Sequence, residues 1–120
     1  MDDRGVSRPD VGDDPDEGSL TEDGRYRVFH GRRWRSTDPA LGEDVVRALT
    51  RHLGRARSAV GRAKRADDDA ALRAARAQVQ LAKEGLGERG AAWWERPEEE
   101  RLQQARDRLA QLDGLMDEAH

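Results

Sequence analysis

The stretch Arg25 to Arg35, RYRVFHGRRWR, interleaves arginine with tyrosine, phenylalanine and tryptophan. Guanidinium groups neutralise phosphates and aromatic faces stack on bases, so this mixture suits a nucleic-acid backbone and its bases. The ordinary structural reading is that arginine stems cover an apolar face with Trp34 as core. Other chemistry is sparse. Hydroxyls stand at Ser36, Thr37 and Ser58, but no histidine, acid or glycine elbow is placed to activate them. His30, His52 and His120 fall in a turn, on a helix flank and at the C-terminus, and read as solvated side chains. Asp13 to Gly18 has a calcium-loop flavour, yet Pro15 replaces a ligand and Gly24 stands where the bidentate glutamate belongs. GLGERG at Gly85 to Gly90 lacks the preceding strand and the following helix of a phosphate loop. The expectation is a non-enzymatic protein with no catalytic residue, metal site or cofactor, and no small-molecule substrate is inferred.

Composition limits what can hold those residues in place. Of the 120 residues, 39% are charged and 4% aromatic, so amphipathic helices rich in alanine and leucine must supply most of a small core. Cysteine is absent, which excludes disulfides and thiolate ligands. An acidic N-terminus and short apolar runs point to a soluble, cytoplasmic chain with no membrane or lipid anchor. The net charge of −3 conceals segregation: residues 1–24 carry −7, residues 25–66 carry +9 and residues 67–120 carry −5. A block so basic asks for an acidic partner or for neutralisation by its flanks.

The elements follow from periodicity. Residues 1–24, dominated by Asp, Glu, Gly, Pro and Ser, read as a disordered acidic tail. Tyr26 to Phe29 and Arg32 to Arg35 flank His30-Gly31, predicting a hairpin in which Phe29 faces Arg32 and Arg27 faces Trp34. Ser36-Thr37-Asp38-Pro39 reads as a helix entry with Asp38 as N-cap, unless Gly42 splits this turn from the main helix. That helix carries one apolar stripe, Val45, Val46, Leu49, Leu53, Ala56, Val60 and Ala63. Rotation by 100° per residue gathers Arg47, Arg51, Arg55, Arg62 and Arg65 roughly opposite. Asp67-Asp68-Asp69 starts a second helix with stripe Leu72, Ala75, Val79, Ala82 and Leu86, closed by one of Gly85, Gly87 and Gly90 in the left-handed conformation. Pro97 and three glutamates open a third, with stripe Leu102, Ala105, Leu109, Leu112 and Met116, which either docks on the pair or stands apart.

The fold class expected is therefore mainly α: a short β-hairpin, an antiparallel helical pair and a third C-terminal helix. The domains would be an acidic tail (1–24), a β-hairpin plus helical-hairpin domain (25–95) and a C-terminal helix (96–120). Trp34, Leu49, Leu53, Val79, Leu86, Trp93 and Trp94 are the expected core, the tryptophans closing an open end of the helical pair. Arg32, Arg33, Arg35, Arg47, Arg51, Arg55 and Arg62 are the candidate contacts for nucleic acid or an acidic partner.

GRRWRSTDP at Gly31 to Pro39, followed by LGERG at Leu86 to Gly90 and then Trp93-Trp94, resembles a group of small actinobacterial proteins with a GRRWR-x-[ST]-DP, LGERG-x-x-WW layout. These are often catalogued as "biopolymer transporter Tol". The resemblance covers residues 25–95 and implies no catalytic residue or ligand. A transporter subunit would need a membrane span, and a Tol-like propeller many repeated strands; neither pattern is present. The leading expectation is a protein-interaction module that meets a protein partner or a second copy through its helix faces. The alternative is a nucleic-acid binder using the hairpin and the basic face of the first helix.

Overall fold

The computed structural model describes residues 18–118, and the expectation of disorder over residues 1–17 falls outside them. The chain divides into two compact units between Ser36 and Thr37.

In the first unit, β1 (Tyr26–Phe29) and β2 (Arg32–Arg35) pair antiparallel, with Tyr26 opposite Arg35, Arg27 opposite Trp34, Val28 opposite Arg33 and Phe29 opposite Arg32. His30 and Gly31 both have positive φ, 52° and 76°, the twist that a two-residue turn between right-handed strands requires. The predicted register is the observed one. Residues 18–24 do not behave as a tail. Gly18 N–H donates to the Val28 carbonyl at 2.6 Å and Val28 N–H to the Ser19 carbonyl at 3.1 Å, while Leu20 bridges Arg27, so this segment runs along the free edge of β1. Asp23 fixes its turn by accepting from the Thr21 hydroxyl at 2.6 Å and Arg25 N–H at 3.0 Å. Those bonds, the hydroxyl foremost, hold the Asp23 carboxyl below its ordinary pKa. Ser36 closes the unit through Oγ to the Gly24 carbonyl at 2.7 Å.

The second unit is three helices: α1 (Glu43–Arg65), α2 (Asp69–Gly85) and α3 (Glu98–Glu118), with a 3₁₀ turn at Trp93–Glu95. Asp38 is not the N-cap of α1, a role taken by Gly42 without a side-chain bond. Asp38 instead closes a separate turn, its Oδ1 accepting from Ala40 N–H at 2.9 Å and its carbonyl from Leu41 N–H. The joint between α1 and α2 is tight because Asp67, at φ 57°, takes the left-handed position after α1. Asp68 N–H then returns to the Ala63 carbonyl, and the Asp68 side chain caps α2 at Ala71 N–H, 3.0 Å away. Helix α2 ends in the same motif, with Gly87 at φ 81° and Glu88 N–H bonded to the Lys83 carbonyl.

Alanines let α1 and α2 approach: Ala56, Ala63, Ala75 and Ala82 are all buried. Leu49, fully buried, packs with Leu41, Leu53, Leu86, Ala105 and Leu112. Gly85 is tightly packed by both neighbouring helices, since a Cβ there would lie 3.0 Å from Leu49 and 3.2 Å from Arg108. Helix α3 docks on α2 and, over a shorter stretch, on α1. The sequence grouped residues 25–95 and set 96–120 apart; α3 instead shares the core of α1 and α2 because Ala105 and Leu112 complete it. Its stripe stops short of the predicted end, with Leu115 and Met116 exposed.

Because an L-residue with a Cβ is strained at the φ of Asp67, the Asp67→Gly variant is expected to be more stable by about 0.5–1 kcal/mol. A urea titration followed by far-UV circular dichroism checks this, and an unchanged or lower midpoint would show that the joint is unstrained.

Candidate functional site

The two motifs picked out in the sequence meet across α2 and α3. Asp38, 2% exposed, accepts a bidentate pair from Arg101 of α3, Nε to Oδ2 and Nη2 to Oδ1 both at 2.8 Å. Its backbone N–H donates to the Leu86 carbonyl at 2.9 Å. The turn of α2 at Gly87 then presses on Asp38: a Cβ at Gly87 would lie 2.9 Å from the Asp38 Cβ and 3.3 Å from Trp93 Cδ1. The Arg101 guanidinium lies 5.5 Å from the Trp93 ring centre and also donates to the Arg96 carbonyl. Hydrogen bonding to Asp38 raises the Arg101 pKa above its already high ordinary value. Next to this pair, the Thr37 hydroxyl donates to Glu88 at 2.7 Å, and the other Glu88 oxygen takes Lys83 Nζ at 2.6 Å. The space left among Asp38, Gly87, Trp93 and Arg101 is about 10 Å³, about the volume one water needs. The cluster is a lock closed by its own charges, and it leaves no room for a substrate.

Two further polar links cross the helices. His52, read from the sequence as solvated, is 9% exposed and meets Asp113 of α3 at 2.7 Å. It lies within the α1 stripe, beside Leu49, Leu53 and Ala56, which is why it is covered. Glu84 of α2 accepts from Gln80 at 2.8 Å and from Arg108 of α3 at 2.9 Å. The Gln80 bond first, and Arg108 after it, hold the Glu84 carboxyl below its ordinary value of 4.5.

The predicted contact residues divide between the two units. On the hairpin, Arg32 and Arg33 are exposed and each lies over a ring, Arg32 over Trp34 at 4.9 Å and Arg33 over Tyr26 at 5.1 Å, while Arg35 is half-buried. Trp34 is not core: it is 48% exposed, because strand alternation puts it on the same side as Arg27 and Arg32. On α1, Arg47, Arg51, Arg55 and Arg62 are all exposed, as is Arg65. Arg47 lies 3.7 Å from Asp44, and Arg55 reaches the Met116 sulfur of α3 at 3.0 Å. Of the remaining predicted core, Leu49, Leu53 and Leu86 are buried and Val79 packs at its margin. Trp93 and Trp94 are only half-buried, edge to face at 5.2 Å, and Trp93 serves as a wall of the lock and not as its centre.

Sequence reading missed Arg101 and Arg108, although a signal existed. At 100° per residue both fall in line with the buried Ala105 and Leu112, and an arginine inside an apolar stripe needs a carboxylate. It also missed Arg57, Arg76 and Arg89, which together with Val60, Val79 and Gln80 line an open groove of about 420 Å³ between α1 and α2.

Compared with protein-family models, curated proteins and solved structures, the chain matches none of them. Among the described residues no helix is long and apolar enough to cross a membrane, and no group of three or more His, Asp or Glu is placed to hold a metal ion.

Gly87→Ala is expected to cost about 2–4 kcal/mol, combining left-handed strain with a backbone forced off Asp38. Gly90→Ala, at φ 82° but facing open space, should cost only the strain, about 1–2 kcal/mol. Equal losses in urea titrations would dismiss the close approach. Because the folded pKa of Glu84 lies below 4.5, its contribution is complete above that value and disappears as the pH falls through the lower folded value. Glu84→Gln should therefore be less stable than the parent at about pH 7, and the difference should shrink progressively as the pH falls below the ordinary carboxylate range. A difference that persists in acid would mean that packing, not charge, accounts for it.

Proposed function

We propose that this chain is a non-enzymatic interaction module whose basic helical face meets an acidic surface of a protein partner or of a second copy. One observation carries the reading. The charges at the helix contacts are matched, Asp38 with Arg101, Glu88 with Lys83 and Glu84 with Arg108. On the outer face of α1, by contrast, Arg51 and Arg62 are exposed and have no ion pair among the described residues. Unmatched arginines on a rigid helix favour encounter with an anionic surface and add charge-assisted bonds once it is reached. The motif pair that carries the resemblance to small actinobacterial proteins is, on this reading, a folding lock and assigns no activity.

A second reading keeps one observation of its own. The Arg32 guanidinium stacked on the exposed Trp34 ring is a flat cationic platform of the kind that holds an unpaired base. Nucleic-acid binding through the hairpin would then be the activity, with the arginines of α1 contributing phosphate contacts.

Capture on immobilised protein before and after nuclease treatment separates the two. The proposal expects nuclease-resistant protein bands that disappear with the Arg51→Glu, Arg62→Glu double variant. Bands unchanged by that variant would defeat it. Loss of all captured material on nuclease treatment, with single-stranded RNA binding that weakens about 5-fold or more in Trp34→Ala, would establish the second reading instead.

A further inference from the structure

The groove between α1 and α2 presents three arginines to a small apolar floor. Arg57 and Val60 come from α1, Arg76, Val79 and Gln80 from α2, and Arg89 from the turn beyond it. On α1, Arg57 lies on the side away from His52 and Arg55, the two that reach α3, and no residue of α3 lines the groove. Arg89 is held in place: its Nη1 donates to Gln80 Oε1 at 2.8 Å, the Gln80 amide nitrogen donates to Glu84, and Glu84 is anchored by Arg108. The Arg57 and Arg76 side chains are exposed and have no ion pair or hydrogen bond among the described residues. No carboxylate lines the groove.

We infer that this groove binds an acidic peptide segment of a partner protein, with carboxylates on Arg57, Arg76 and Arg89 and an aliphatic side chain on Val60 and Val79. Charge complementarity names the sign of the occupant, and the geometry names its form. The arginines come from three separate stretches and line an open groove, which suits several carboxylates along a chain better than a single phosphate. The two valines give such a chain an apolar contact between its charges. The inference rests on the interaction-module reading and assigns it a surface distinct from the outer face of α1.

The test is fluorescence anisotropy of a labelled Glu-Val-Glu-Glu-Val-Glu peptide against the full chain at low salt, with two control peptides, one carrying Gln for Glu and one Gly for Val. Binding of the parent peptide, its loss with Gln and a weakening with Gly are expected. Arg57→Glu and Arg76→Glu should each weaken it about tenfold or more. Both sites are exposed, so an unchanged circular-dichroism melt keeps the comparison fair, and Arg76→Lys should restore part of the affinity. Equal affinity for the Gly peptide would reduce the effect to unspecific charge and overturn the inference. So would full binding by Arg57→Glu and Arg76→Glu with loss only in the Arg51→Glu, Arg62→Glu protein, an outcome that leaves the module reading standing. Failure of the unaltered protein to bind the peptide, while it still captures a nuclease-resistant partner, overturns the groove alone. Failure of both overturns the two readings together.

Discussion

The helical unit depends on a single buried carboxylate. Asp38 precedes the first helix and is almost fully removed from water, so its charge must be met inside the protein. Arg101 meets it with both arms of its guanidinium, from a helix that begins 60 residues later in the chain than Asp38 itself. Once that pair is fixed, much else follows. The α2 terminus must pass against Asp38 with no side chain, which requires Gly87. Trp93 must lie beside the guanidinium, and α3 cannot leave the pair without stranding a charge. Removing one partner of such a pair typically costs about 3–5 kcal/mol, a large share of the about 5–15 kcal/mol that stabilises a small domain.

This constraint gives the conspicuous sequence motifs a physical meaning. Thr37 and Asp38 contact Glu88 and the Gly87 turn directly, and Trp93 shields the ion pair from the side. The motif residues Thr37, Asp38, Gly87, Glu88 and Trp93 are engaged with one another and with Lys83 and Arg101. The recognition we propose falls to side chains that the lock does not use. Those are the outward arginines of α1 and the rim of the α1–α2 groove, held on a rigid frame because the interior charges are already satisfied.

Local structure was legible where the backbone itself dictates the residue. His30-Gly31 predicted a two-residue hairpin turn, and the strand register followed from it; the Asp67-Asp68-Asp69 run predicted a cap, and the glycines after α2 a left-handed stop. The α-rich class was equally plain from the three apolar stripes. What the sequence hid were matters of partnership. The α3 stripe reads the same whether it faces α2 or another chain, and only Arg101 and Arg108 within that stripe pointed to carboxylates on the same unit. Trp34 suggested core by its size, yet strand alternation carries it outward with Arg32. Residues 18–24 look like a tail by composition, whereas their pairing with β1 uses backbone groups, to which composition is blind. Arg57, Arg76 and Arg89 are far apart in the sequence, and only the antiparallel packing of α1 and α2 brings them to one groove.

The most direct test of this account is a double-mutant cycle on the lock, with Asp38→Asn, Arg101→Met and the double variant unfolded in urea and followed by helical circular dichroism. If the pair organises the helical unit, the two losses are strongly non-additive, with a coupling energy of about 2–3 kcal/mol. Losses that add to within about 0.5 kcal/mol would mean that Asp38 and Arg101 stabilise the protein independently, and the lock would not be what holds α3 in place.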